Sequence, residues 1–160
     1  MAALETSLRP CLWFDDDAEE AMNFYVDLFP DSHIDAIVRY PDESLSEHFT
    51  GMAGKVLNGR FTLDGMQFVC LDGGPAFTFN EALSLTVSCA DQAEIDRYWD
   101  ALSAVPEAEQ CGWCKDRYGL SWQILPAQLD RLMTGPAAVQ ALLGMQKIVI
   151  AELAAAGAAT

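Results

Sequence analysis

Pro10-Cys-Leu-Trp-Phe14, followed by Asp15-Asp-Asp-Ala-Glu-Glu-Ala-Met-Asn-Phe-Tyr-Val-Asp-Leu-Phe-Pro30, is the stretch on which the fold turns. Its first five residues read as a short strand. Asp17 then caps an amphipathic helix through about Phe29, with Glu19 and Glu20 at the positive end of its dipole. Ala18, Ala21, Met22, Tyr25, Leu28 and Phe29 recur at helical spacing as its buried stripe, and Pro30 stops it. The plan returns later. Ser84-Leu-Thr-Val-Ser-Cys89 is a strand, Asp91 a cap, and Gln92 to Leu102 a helix burying Ile95, Tyr98, Trp99 and Leu102. A slide of 74 residues lays Asp17 on Asp91, Phe24-Tyr25 on Tyr98-Trp99 and Leu28 on Leu102.

The halves also end alike. Arg60 to Leu71 reads as a hairpin turning at Asp64-Gly65, a strong turn dipeptide between apolar strands. Lys115 to Leu125 reads likewise, turning near Arg117 to Gly119, and an offset of 54 lays Gly65 on Gly119 and Val69 on Gln123. A unit this long is no solenoid repeat, so duplication inside one α+β domain is the reading. The domain is expected over 1–126, with modules of about 7–74 and 80–126, and a helical extension over 127–160. In that extension Leu129, Leu132 and Met133 suggest a short helix, Pro136 to Gly144 a second, and Met145 to about Ala155 a third. Ala154 to Thr160 is expected to fray. The many apolar positions from Leu142 to Leu153 call for a partner surface, the sheet or a second subunit, and a homodimer is preferred.

Composition narrows the function. The 160 residues are 51% apolar and 21% charged, with nine basic and twenty-four acidic side chains and a net charge of −15, an ordinary globular balance with a strongly acidic surface. Such a field repels phosphate backbones and anionic bilayers, so neither nucleic acid nor a membrane is an expected partner. Apolar runs are short, and Met1 to Arg9 carries no signal-peptide pattern. Five cysteines, an odd number, fit a reducing cytoplasm better than a disulfide framework.

Several stretches together resemble PhnB-like proteins: Pro10 to Phe14 with Ala18-Glu-Glu-Ala21, Phe24-Tyr25 and Phe29-Pro30; Leu63-Asp-Gly65; Leu71-Asp-Gly-Gly74; Asp91 to Trp99; Cys111-Gly-Trp113 with Lys115-Asp116; and Met145-Gln-Lys-Ile148. The family, often labelled demethylubiquinone methyltransferase-like, belongs to the vicinal-oxygen-chelate superfamily of glyoxalase, dioxygenase and bleomycin-resistance proteins. The resemblance implies paired βαβββ modules whose sheets curl around a cavity, usually as dimers. Methyl transfer finds no chemical support, because Gly73-Gly74 runs into Pro75 rather than opening a helix in a parallel sheet.

In metal-dependent relatives the ligands come from the first and last strands of each module. Carried onto this chain, those corners fall at Pro10 and Ser84, 74 apart, and at Val69 and Gln123, 54 apart. A divalent ion there needs imidazole or carboxylate donors. Pro10 and Val69 cannot ligate, and Ser84 and Gln123 are weak substitutes, so no metal and no cofactor are expected. Alternation turns Leu85, Val87 and Cys89 beneath the helices and Ser84, Thr86 and Ser88 toward the cavity. Trp122 and Ile124 pack, leaving Ser121, Gln123 and Leu125 inward. By the same parity Leu12, Phe14, Gln67, Val69 and Leu71 line the bowl. Trp113 is a candidate to stack on a planar ligand or to pack in the core. The wall suits a small, partly apolar molecule, unless its hydroxyls merely satisfy one another in a filled interior.

Other groups carry less. Cys111-Gly-Trp-Cys114 precedes a strand rather than a helix, so incidental thiols are favoured over a redox pair, and zinc would need a second pair. His33 reads as a solvated helix-exit residue. His48, between Glu47 and Phe49 in the polar loop Pro41 to Gly54, could supply an acid, base or ligand. The acidic runs lack calcium-loop spacing. The leading expectation is a metal-free small-molecule binding protein of unassigned activity. The alternatives are a metal-dependent lyase, isomerase or oxygenase using His48, Glu47 and Gln123, and a structural or interaction dimer.

Overall fold

The computed structural model describes residues 8–41 and 50–159. Within them the chain is mixed α+β, with two small sheets and five helices, and divides into two compact units, Met1–Thr78 and Phe79–Thr160.

The first unit runs β1 (Cys11–Phe14), α1 (Ala18–Leu28), β2 (His33–Arg39), β3 (Val56–Leu63) and β4 (Met66–Asp72). Its sheet has the order β1-β4-β3-β2, with β1 parallel to β4 and the other pairs antiparallel. The expected hairpin is present: Leu63 pairs with Met66 across Asp64 and Gly65, both at positive φ (46° and 77°). Two consecutive left-handed residues match the twist of the flanking strands, and glycine takes that conformation without a Cβ clash. One face of the sheet is covered by α1, where Ala18, Ala21, Met22 and Tyr25 are fully buried with Phe61, Phe68 and Cys70. Phe61 and Phe68 stack with ring centroids 5.3 Å apart. Each such large apolar side chain contributes roughly 1.5–3 kcal/mol on burial.

Asp17 holds the N-cap position of α1 but makes no side-chain capping bond. The cap comes from elsewhere in the chain. The carboxylate of Asp72, at the end of β4, accepts Ala18 N–H at 2.9 Å with one oxygen and Val56 N–H at 2.8 Å with the other.

The second unit runs β5 (Ser84–Cys89), α2 (Gln92–Leu102), a 3₁₀ turn at Pro106–Ala108, β6 (Trp113–Lys115), β7 (Ser121–Pro126), then α3 (Leu129–Leu132), α4 (Pro136–Leu143) and α5 (Ile150–Ala158). Here the cap is the one read from sequence. Asp91 accepts Glu94 N–H at 3.0 Å, and the Glu94 carboxylate reaches back past the cap to accept Ala90 N–H at 2.8 Å, one residue further than in a capping box. The sheet has the order β5-β7-β6, and neither sheet closes on itself. Among the described residues this module has one strand fewer than the βαβββ plan. Between α2 and β6 the described chain forms no strand: it makes the 3₁₀ turn and an isolated bridge from Gln110 to Trp113, with Ala104 N–H on Lys115 O (2.9 Å) and Ile124 N–H on Gly112 O (2.7 Å) among its backbone bonds. Pro106 has no N–H to give to a ladder there.

The third C-terminal helix starts later than periodicity predicts. The carbonyls of Met145 and Gln146 accept Cys111 N–H and Gly112 N–H, both at 2.8 Å, which holds that stretch outside any helix until Ile150. α5 continues to Ala158, and Thr134 donates its hydroxyl to Gly157 O at 3.1 Å. Ala138, Ile148 and Leu153 form a small core with Leu125, Leu129 and Leu142 packed against it. Leu125, expected to face inward, is thus taken up by the helical extension. No helix among the described residues is long and apolar enough to cross a membrane.

Candidate functional site

The first unit corrects part of the expected facing. Leu12 and Phe14 are 1% and 2% exposed and pair with Cys70 and Asp72, so they stand on the α1 side, in the core, and line no open surface. Cys11 and Trp13 occupy the other face with Val69 and Leu71, their partners on β4. The reason is one residue. Two residues, Asp15 and Asp16, separate β1 from the Asp17 cap, whereas Ala90 alone separates β5 from Asp91. Sheet pairing matches Cys11 with Val69 and Thr86 with Gln123, so the first strands correspond at an offset of 75 although the helices correspond at 74. A slip of one inverts the face of every side chain on a strand. The counterpart of Ser84 is therefore Arg9, not Pro10, and Arg9 Nε donates to Gln67 Oε1 at 2.7 Å. Sequence reasoning missed Arg9; the length of the strand-to-helix link was the available signal.

The face of the first sheet away from α1 is closed at one end by Trp13. Its indole N–H donates to Gly74 O at 2.9 Å, its ring meets Phe77 edge-on at 4.9 Å, and it lies over Gly73. Gly73-Gly74 thus seats an aromatic ring.

In the second unit the polar side chains of β5 and β7 fall on one side of the sheet. β5 and β7 run parallel with Ser84 opposite Ser121 and Thr86 opposite Gln123, and β6 sets Trp113 beside Gln123 and Lys115 beside Ser121. These side chains share the face away from α2. Gln123 Nε2 donates to Ser84 Oγ at 2.9 Å. Ser121 is 1% exposed, and its hydroxyl has no hydrogen-bond partner among the described residues. Thr86 is exposed, and Trp113 is half-buried. Lys115 pairs with Glu81 and holds that carboxyl below its usual range. The opposite face buries Cys114, Trp122 and Ile124.

The family model described as 3-demethylubiquinone-9 3-methyltransferase matches residues 6–125. The chain belongs to this family, the PhnB-like proteins of glyoxalase type. A PhnB protein from Bacillus cereus is 36% identical, covers 76% of this chain and 100% of its own, and superposes with a TM-score of 0.64. Protein PA1353 from Pseudomonas aeruginosa, 18% identical over 76% of this chain and 98% of its own, shares the fold at a TM-score of 0.55. No curated protein matches the chain.

The PhnB-like chain does not offer what a divalent metal requires at the expected corners. Val69, Ser84, Gln123 and either Pro10 or Arg9 include no imidazole and no carboxylate. Among the described residues no group of three or more His, Cys, Asp or Glu is placed to hold an ion. His48 and Glu47 lie outside the described residues. His33 is exposed at the start of β2, 3.1 Å from Asp35. Neither strand-to-helix turn, Asp15 to Asp17 or Ala90-Asp91, contains the glycines of the common dinucleotide-type turn. Cys114 is buried and its thiol is pushed up to about 12, chiefly by desolvation and then by Asp116. That disfavours the thiolate on which a redox pair depends.

Proposed function

We propose that this PhnB-like protein binds a small, partly apolar molecule against the face of its second sheet that points away from α2, without a metal. The observation that carries the reading is the Ser121 hydroxyl, buried and unpartnered among the described residues beside the Gln123–Ser84 bond. A hydroxyl left so costs about 1–3 kcal/mol unless a water or ligand group reaches it. Half-buried Trp113 on the same face adds an apolar plate, and Thr86 adds an exposed hydroxyl. Neutral donors beside an aromatic surface orient a ligand without supplying a general base. All five cysteines are free, which supports a reducing cytoplasmic setting. Val139 and Leu143 on α4, 43% and 56% exposed, support a homodimer.

The test is native mass spectrometry of protein purified from its own cells, which reports subunit number, metal and retained ligand together. A small organic molecule retained by the wild type and lost from Trp113→Ala supports the reading. A bound divalent ion, or retention unchanged in Trp113→Ala and Gln123→Ala, overturns it.

A further inference from the structure

We propose that the first unit carries a binding site for a compact oxyanion, a carboxylate or phosphate-type group gripped by Arg9 and Arg60. The argument begins with charge. The described part of this unit has four cationic side chains from Lys and Arg: Arg9, Arg39, Lys55 and Arg60. Two are neutralised where they stand. Arg39 holds Glu19 with both terminal nitrogens (2.7 and 2.8 Å), and Lys55 holds Asp16 at 3.2 Å.

The other two line one cavity of about 210 Å³, together with Asp35, Gln67 and Phe68. Arg9 uses Nε on Gln67 and leaves its terminal nitrogens without a partner among the described residues. Arg60 makes no hydrogen bond or ion pair among them. Asp35, on the same wall, is engaged by the Thr62 hydroxyl at 3.0 Å and by His33 at 3.1 Å, and forms no ion pair with either arginine. A protein of net charge −15 with nine basic residues therefore leaves two guanidinium groups unmatched in one hollow.

Two guanidinium groups repel one another unless an anion lies between them, and their planar forks fit two-oxygen edges bidentately. Gln67 contributes as well. Its Oε1 must face Arg9, which only donates, so its amide N–H₂ is the end left to give to an anion. The volume is below the 300–1,000 Å³ usual for a drug-sized ligand, so the hollow fits a charged headgroup and few further atoms. This site is argued from different residues than the second-sheet face, and neither reading rests on the other.

The experiment follows the arginine Nε–H resonances of the full-length protein while sodium acetate, and separately inorganic phosphate, is added at ionic strength held constant with chloride. Arg9 and Arg60 are expected to shift together along a saturable curve, with the other four arginines nearly still. Arg60→Gln and Arg9→Gln, both at exposed positions, should each weaken the apparent affinity about tenfold or more. Asp35→Asn, which removes negative charge from the wall, should tighten it severalfold. Saturation with acetate alone assigns a carboxylate, and with phosphate alone a phosphate-type group. Shifts that stay linear, spread over all six arginines or persist in Arg60→Gln overturn the proposal.

Discussion

Trp122 donates its indole N–H to Asp116 at 2.7 Å, and this buried bond ties β7 to the turn that precedes it. Asp116, 1% exposed, also accepts Tyr118 N–H at 2.9 Å and Leu120 N–H at 3.0 Å. In the first unit Asp72, 2% exposed, holds Ala18 and Val56 in the same manner. Each unit thus places a buried carboxylate where backbone N–H groups would otherwise lack acceptors.

Asp116→Ala should destabilise the protein by about 3 kcal/mol or more, because it strands two backbone donors and an indole N–H. Trp122→Phe, which removes one donor and keeps most of the ring, should cost less, about 1–2 kcal/mol. Urea denaturation measures both. Equal costs would show that the carboxylate's backbone bonds contribute little.

Gly73→Ala should destabilise by about 1–3 kcal/mol, since a Cβ there would stand 2.1 Å from the Trp13 ring. Trp13→Phe gives up the bond to Gly74 but makes room. The double variant should therefore be more stable than the sum of the two single losses predicts. Simple additivity in a thermal double-mutant cycle would remove the contact from the account.

Thiol reactivity should divide the cysteines. Burial pushes Cys70 and Cys114 up to about 12 and Cys89 to about 11. At pH 8 their thiolate fractions are then roughly one in 10⁴ and one in 10³. Exposed Cys11 and half-buried Cys111 should alkylate first with iodoacetamide, read by peptide mass spectrometry. Cys114 labelling ahead of Cys11, or a Cys111–Cys114 disulfide forming in a glutathione buffer, would contradict this.

The Glu19–Arg39 pair should appear in the acid limb of stability. Its hydrogen bond to Arg39 holds the Glu19 carboxyl below its usual range. A folded-state value below the unfolded one stabilises above the unfolded value and is lost as pH falls through the folded one. Arg39→Gln should therefore reduce Tm at neutral pH and reduce it less as pH falls through the folded-state value, the remainder coming from the lost Arg39 bond to Gly54 O at 3.0 Å. Both side chains are close to half exposed, so the effect is small and added salt should erase it. A loss of the same size at pH 2 would point to packing instead.

The helices, the glycine hairpin and the α2 cap were legible because each depends on neighbours in the chain: periodic apolar positions in α1 and α2, Asp64-Gly65 at a turn, Asp91 with Glu94 at a helix start. The second-sheet face was legible too. Ser84 to Cys89 alternates between polar and apolar side chains, so its pattern states which side faces the helix. The α1 cap was not legible, since Asp72 reaches Ala18 across 54 residues of chain while Asp17, better placed locally, makes no such bond.

What this sequence determined by itself is the succession of elements, the duplicated plan, the acidic surface and the absence of imidazole and carboxylate from the expected corner positions. What only the tertiary structure decided is which side of β1 meets the helix, and with it the placing of Arg9 beside Gln67. Cys11-Leu-Trp-Phe14 is apolar at every position, so either face could have been buried. The choice came from its pairing with β4, anchored by Val69 N–H on Pro10 O at 2.9 Å, and from the extra residue before α1 that this register requires. Periodicity is a property of neighbours, whereas register is set by hydrogen bonds between strands far apart in the chain.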